Sequence, residues 1–354
     1  MAPTILLVNP PIYDFSAYDF WLKPYGLLRV AGFLRKRAEL RLFDYLDRHH
    51  PSLHDSSHSD RWGRGEFPRE RANTPSVLAP IPRRFHRYGL SRSLFQQFLR
   101  EEGPFDFALV QTVMTYWYLG VKEVIEDLRR FSPGTRIVLG GVYATLCPSH
   151  ASHLGADLVV NGSRLEPIWS LLGLTPDLRG LPFWEGYNHL DVGILTLAFG
   201  CPFRCTYCSV PQVDPTFTPY PLKRSLAEVE FLYQLGARNI AFYDDALLYR
   251  PDQILRPFLR GVKEWGLTIQ FHTPNALNAR FITSGLAQEM VEADFKTFFL
   301  GFESSAYAWQ RRTGGKVYSE EFARAVSNLV AAGASRDAIT AYLIIGHPQS
   351  AHQH

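Results

Sequence analysis

Short apolar runs that each end in polar residues fill the second half of the 354-residue chain. They restrict it to a fold whose parallel strands present their carboxyl ends to one site. Val192–Phe199, Asn239–Tyr243, Thr268–Phe271, Thr297–Leu300 and Ile339–Ile345 read as strands. In turn they end in Gly200-Cys201, Asp244-Asp245, His272-Thr273-Pro274-Asn275, Gly301-Phe302-Glu303-Ser304 and Gly346-His347-Pro348. Segments of helical period separate them. One, Ser225 to Gln234, is expected to begin at a capping box made by Ser225 and Glu228. Strands alternating with helices form a parallel sheet or a β/α barrel, and such barrels hold their chemistry at the carboxyl ends of the strands.

The first of these ends carries Gly200-Cys201-Pro202-Phe203-Arg204-Cys205-Thr206-Tyr207-Cys208. Three cysteines in a C-x₃-C-x₂-C spacing aim three thiolates at one point. A structural zinc wants four ligands, and no Cys or His follows closely enough to be an obvious fourth. An iron–sulfur cubane also has four irons, so three cysteines leave one iron open to an outside ligand. A zinc site completed by a distant residue and a fortuitous cluster stay as alternatives. The chain has four cysteines in all. That is no disulfide framework, and it suits a reducing, cytoplasmic compartment. The fourth, Cys147, reads as a small buried apolar residue.

On these residues the second half resembles the radical SAM superfamily over about residues 190–346. The resemblance implies a 4Fe–4S cluster bound by Cys201, Cys205 and Cys208, with S-adenosylmethionine chelating the open iron. It implies that the reduced cluster cleaves S-adenosylmethionine and that a deoxyadenosyl radical then activates a substrate carbon. By position, Asp244 or Asp245 meets the ammonium of S-adenosylmethionine. Glu303 and Ser304 take the ribose hydroxyls or the methionine end. Tyr207 lies against adenine, and Ile344 to Gly346 line the adenine side. His272 and Asn275 face the same mouth as substrate candidates. The family's barrel is six-stranded and incomplete, whereas here the sequence runs out after a fifth strand. A shortened chain and a naturally missing strand are both open.

The first half also alternates. Ile5–Val8, Leu40–Asp44, Phe105–Gln111, Arg136–Gly141 and Asp157–Val160 read as strands, with helices at Leu27–Arg37 and Val121–Phe131. The pattern predicts a Rossmann-like doubly wound parallel sheet with ligands at the carboxyl ends of its strands. The fold class is therefore α/β: that sheet over residues 1–171, a linker at 172–189, and a partial β/α barrel of radical SAM type over 190–354. Val8-Asn-Pro-Pro11, Pro24-Tyr-Gly-Leu-Leu28 and Gly140-Gly-Val-Tyr-Ala-Thr145 are similar to the cobalamin-binding-like domain that precedes many such barrels. So is Gly155-Ala-Asp157, followed by Gly162 and Glu166. That resemblance adds cobalamin to the cofactors, although the D-x-H-x-x-G motif is absent. Gly140-Gly141 serves either a ligand or a tight turn.

Residues 48–92, rich in His, Ser, Pro and Arg, read as a loop-rich insertion. His50, His54 and His58 are spaced for a helix face, but Pro51 argues for loop. Arg83, Arg84, Arg87 and Tyr88 offer either an anion site or a solvated basic face. Tyr116, Trp117 and Tyr118 either floor a pocket or pack a neighbour.

Neither a signal peptide nor an apolar run of membrane-spanning length is expected. The formal charge of +3 is small for this length and does not by itself argue for nucleic acid. The expected partners are a small-molecule or peptide substrate and an electron donor such as flavodoxin or ferredoxin. Methyl transfer through cobalamin leads the specific reactions. A cobalamin-independent rearrangement or cyclisation, a non-catalytic cluster-binding protein and a zinc module remain as rivals.

Overall fold

The computed structural model describes residues 2–53 and 59–346. His54, His58, His347 and Pro348 lie outside these. The chain divides into two compact units, residues 1–189 and 190–354.

The first unit is built on five parallel strands: β1 (Thr4–Asn9), β2 (Glu39–Asp44), β3 (Phe107–Thr112), β4 (Arg136–Gly141) and β5 (Leu158–Val159). Their order in the sheet is β2-β1-β3-β4-β5. β1 is apolar at successive positions because both its faces are covered. Leu6 and Val8 join one buried cluster, Ile5 and Leu7 the other. Three helices of this unit matter below: α1 (Tyr25–Leu34), α2 (Arg92–Glu102) and α3 (Tyr118–Phe131). The first gives Val30, Ala31 and Leu34 to the second cluster, and α2 and α3 give Phe95, Leu99, Val124 and Leu128 to the first.

The insertion is more ordered than its composition suggests. Ile12–Asp14, Arg69–Arg71 and His86–Tyr88 form a small antiparallel sheet. Arg87, expected to be an anion site or a solvated charge, is instead buried. It makes a two-pronged pair with Glu123 of α3, 2.7 and 2.9 Å at the closest atoms, and Tyr13 Oη donates to the same carboxylate at 2.6 Å. Burial in low dielectric makes such a pairing obligatory. Residues read as linker pack on this unit: Trp184 is fully buried, and the Gly32 and Gly180 backbones approach so closely that a Cβ on Gly180 would sit 2.3 Å from the Gly32 carbonyl.

Among the described residues, the second unit has six parallel strands in chain order: β6 (Val192–Leu195), β7 (Asn239–Phe242), β8 (Gln270–His272), β9 (Leu277–Asn278), β10 (Phe298–Glu303) and β11 (Ile339–Leu343). β6, β7 and β8 form one three-stranded sheet, and β9, β10 and β11 another. This is the arrangement of a partial β/α barrel. The third strand expected from sequence, Thr268–Phe271, corresponds to β8, and β9 is a further short strand that opens the second sheet. Phe242 stacks on both Phe271 and Phe295, and those two rings are tilted to each other, with centroids 5.2–5.8 Å apart throughout.

The helix after the cysteine loop, α4 (Leu222–Gln234), starts three residues before the expected capping box. Pro221 sits at the cap, with no side-chain bond there. Ser225 and Glu228 are buried within the helix, where Arg224 reaches Glu228 at 3.1 Å, one turn on. Among the described residues, no helix is long and apolar enough to cross a membrane.

Candidate functional site

Gly200 makes the cysteine loop possible. Its φ is +72°, and a Cβ there would lie 2.6 Å from the Thr216 carbonyl. The chain therefore turns sharply out of the small hairpin of Ala198–Phe199 with Thr218–Pro219 and delivers Cys201 to the strand ends. Cys208 N–H donates to the Cys205 carbonyl at 3.1 Å, and Thr206 N–H to the Thr313 carbonyl at 3.3 Å. Gly314, at φ +111°, lets that second segment close on the loop: a Cβ on it would be 3.3 Å from Cys205 Cα.

All three cysteines are free and half-buried, and they line one cavity of about 280 Å³. Its other walls are polar (Asp245, Asn275, Asn278, Lys316) and aromatic (Phe203, Tyr207, Tyr249, Phe281, Tyr342). Burial pushes the Cys201 and Cys208 thiols up, and neighbouring Asp245 and Cys205 add to the shift. Thiols raised in this way stay protonated, so a metal or cluster held by them as thiolates would displace their protons on binding.

The two aspartates after β7 separate. Asp244 is buried and turned into the fold: its carboxylate accepts the amides of Leu197 (3.0 Å) and Ala198 (2.8 Å). Burial pushes its pKa up to about 7. It ties the end of β6 to β7 and is not among the cavity walls. Asp245 faces the cysteines, and burial, with Asp214 second, pushes it up to about 6.

Glu303 ends β10 at φ +68° and pairs with Lys316 at 3.0 Å. Tyr207 stacks on Trp309 with ring centroids 5.9 Å apart. Burial raises its phenol pKa strongly, and the Glu303 and Cys205 charges raise it further. Ser304 is committed to the chain itself. Its Oγ accepts from Ala306 N–H at 3.1 Å, and its carbonyl takes the Gln310 amide at 2.6 Å. Gly346, the last described residue, is exposed and not among the cavity walls. His272 corrects a second expectation. It is fully buried within β8 and bonded to Asn239 (3.0 Å) and Thr297 (3.2 Å), on a strand whose neighbouring Phe271 is buried too. Asn275 does line the cavity, with its amide anchored on the Tyr243 carbonyl at 2.9 Å.

Sequence reasoning missed Asn278, Lys316 and Tyr249. Asn278 was hidden because β9 was not anticipated. Lys316 follows Gly314-Gly315, and that glycine pair was its only local signal.

In the first unit, the strand order reverses between β1 and β3, where doubly wound sheets open a ligand crevice. Asn9, Pro10, Pro11, Gln111, Thr112, Met114 and Trp117 line a small cavity there, about 20 Å³. Trp117 Nε1 donates to Asp14 at 2.8 Å, while Tyr116 is exposed and Tyr118 packs edge-on to His150. Gly141 is explained by the fold: at φ +110°, its Cβ would lie 2.2 Å from the Thr112 carbonyl. Gly140 is not so constrained, since a Cβ there would meet only Val160 at 4.0 Å. Asp44 is satisfied internally by Asn9 (2.7 Å), Tyr187 (2.6 Å) and the Leu46 amide (2.8 Å).

Among solved structures, the chain is similar in fold to the radical S-adenosylmethionine methyltransferase TsrM from Kitasatospora setae, with tryptophan substrate and a SAM analogue bound. The TM-score is 0.69 at 13% identity, covering 98% of this chain and 68% of that one. A second TsrM structure, with cobalamin and a [4Fe-4S] cluster bound, gives a TM-score of 0.65 at 12% identity over 96% of this chain and 66% of that one. The cobalamin-dependent S-adenosylmethionine radical enzyme OxsB, with aqua-cobalamin and S-adenosylmethionine bound, gives 0.60 at 14% identity, covering 97% of this chain and 49% of that one. The chain therefore spans about two thirds of the length of TsrM and half that of OxsB. No curated protein matches it. Residues 195–353 match the family model described as the radical SAM superfamily. The segment that holds the three cysteines and the cavity around them therefore belongs to the radical SAM superfamily.

Proposed function

We propose that the chain is a radical SAM enzyme that uses a 4Fe–4S cluster, S-adenosylmethionine and cobalamin to methylate a small-molecule or peptide substrate. The observation that carries the first part is the convergence of three free, half-buried cysteines on one cavity with a carboxylate, two amides and an ammonium. Cys201, Cys205 and Cys208 would hold three irons as thiolates, leaving one for an outside ligand. When bound, the cluster supplies the electron that cleaves S-adenosylmethionine, and cobalamin supplies the methyl group.

The rest falls to the protein's own groups. Asp245 sets a carboxylate beside the cysteines, where it pairs with the cofactor's ammonium. Asp244 holds the loop's root in place through the amides of Leu197 and Ala198. Phe203, Tyr249 and Phe281 wall the cavity against water, their rings 6.0–6.4 Å apart. Cobalamin would lie over the carboxyl ends of β1, β3 and β4, outside the small cavity there, where Gly140, which packing does not require, would leave room for a flat ring system to approach. The fold similarity to TsrM and OxsB supports this part of the reading. The one-electron reductant would be a flavodoxin or ferredoxin in the cytoplasm.

Anaerobic purification with iron, sulfide and cobalamin analysis tests it, followed by an assay of 5′-deoxyadenosine and S-adenosylhomocysteine with reductant. Cluster-dependent S-adenosylmethionine turnover and about one cobalamin per chain are expected. Zinc in place of iron would overturn the reading. Turnover without bound cobalamin would overturn the methyl-transfer part alone.

A further inference from the structure

We propose that the loop closed by Ala72 and Phe85 docks on a membrane surface: its aliphatic tip enters the bilayer interface, and the arginines at its base bind the phosphates of anionic lipids. Every residue involved belongs to the first unit.

The small sheet of the insertion ends in this loop. Arg69–Arg71 pairs antiparallel with His86–Tyr88, and Ala72 N–H donates to the Phe85 carbonyl at 3.1 Å, which closes residues 73–84 into a loop. Its order is local. The amide of Leu78 returns to the Pro75 carbonyl, that of Ala79 to Ser76 and that of Ile81 to Leu78, at 2.9–3.2 Å. Pro75, Pro80 and Pro82 restrict the backbone further. None of residues 73–84 is buried. Val77 is 81% exposed and Ile81 39%, with Leu78 half-buried between them. A preformed loop that holds three neighbouring aliphatic side chains out in water, and does not fold them onto the body, marks an interaction surface.

Positive charge gathers at the base of the same loop. Arg83 and Arg84 are exposed, unlike Arg87, and so are Arg69 and Arg71 on the opposite strand. Among the described residues, none of these four has an acidic partner. Glu70, between two of them, is turned to Arg87, 3.4 Å from its guanidinium. Residues 73–84 contain no Asp or Glu. Residues 69–84 carry four arginines and one glutamate, a formal +3 that equals the charge of the whole chain, so the rest of the molecule is balanced.

These groups select the partner. Guanidinium groups bind phosphate oxygens in two-pronged fashion. An anionic bilayer takes up basic residues at its phosphates and aliphatic ones just beneath, and it demands no matching shape. Single-stranded nucleic acid would want aromatic rings for its bases, and a protein partner would want aromatic anchors; residues 73–84 hold no aromatic side chain.

Co-sedimentation of the full chain with vesicles tests this, using phosphatidylcholine alone and phosphatidylcholine mixed with phosphatidylglycerol. The variants are Arg83→Ala with Arg84→Ala, and Val77→Ser with Ile81→Ser. All four positions are exposed, so melting temperatures should match wild type. Wild type is expected to bind the mixed vesicles and not the neutral ones, with an affinity that falls as salt rises. Losing two arginines should weaken binding at low salt roughly 10- to 30-fold. The serine pair should weaken it roughly 10-fold.

The proposal is overturned if wild type ignores the mixed vesicles at low salt, binds the neutral ones equally, or is unaffected by both pairs of substitutions. It is equally overturned if the arginine pair matters and the serine pair does not, or if soluble polyglutamate binds as tightly as the mixed vesicles. In those two cases the loop would serve an acidic protein.

Discussion

Asp244 accepts two backbone amides deep in the barrel wall, while Asp245, one residue on, faces the cysteines. β7 ends at Phe242, and in the turn that follows the two neighbouring carboxylates take different surroundings, which divides structure from chemistry. The two roles are separable by experiment. Asp244→Asn keeps one acceptor oxygen for the two amides but sets its NH₂ against the Leu197 N–H, which reaches both carboxylate oxygens, and is expected to cost about 1–3 kcal/mol. The pH dependence has a defined sign. Burial raises the folded pKa of Asp244 from 3.8 to about 7, so between those values the folded state keeps a proton that the unfolded state has lost. This contribution therefore declines as pH rises through that window and is flat above it. The melting-temperature gap between wild type and Asp244→Asn should narrow from about pH 5 to pH 7.5. A gap independent of pH would show that Asp244 is ionised throughout.

At the scale of elements, α3 and the small antiparallel sheet of the insertion are joined by the buried Arg87–Glu123 pair. Removing one partner leaves an uncompensated charge in low dielectric. Arg87→Met is expected to destabilise by roughly 3–5 kcal/mol, and Arg87→Met with Glu123→Leu to recover part of that. Urea midpoints of the first unit's unfolding check both. An undiminished midpoint in the single variant would mean that water reaches the site. This sheet was illegible in the sequence because its strands are three residues long and paired across distant segments. Strands that short leave no periodicity. The start of α4 was misread for a related reason. Ser225 and Glu228 have capping-box spacing, but the fixed φ of Pro221 sets the helix going a turn earlier, and burial makes Glu228 a partner of Arg224.

For the whole molecule, the proposed function assigns one cofactor site to each compact unit. Replacing Cys201, Cys205 and Cys208 together by Ala is therefore expected to lower iron from about four per chain to near zero. Cobalamin binding and the far-ultraviolet dichroism of the protein should persist. Loss of cobalamin together with iron would show that the two sites are not independent.

The sequence by itself determined the parallel α/β character of both units, the cysteine loop and its place at a strand end. These depend on local signals: runs of apolar residues, a glycine at a turn, and cysteine spacing within nine residues. The tertiary structure alone decided which polar residues at the strand ends face the cavity. It turned Asp244 and His272 inward, committed Ser304 to backbone partners, and brought Asn278 and Lys316 to the wall of one cavity. Facing depends on strand register. A one-residue shift in register reverses every direction along a strand, and a single sequence does not encode that shift locally.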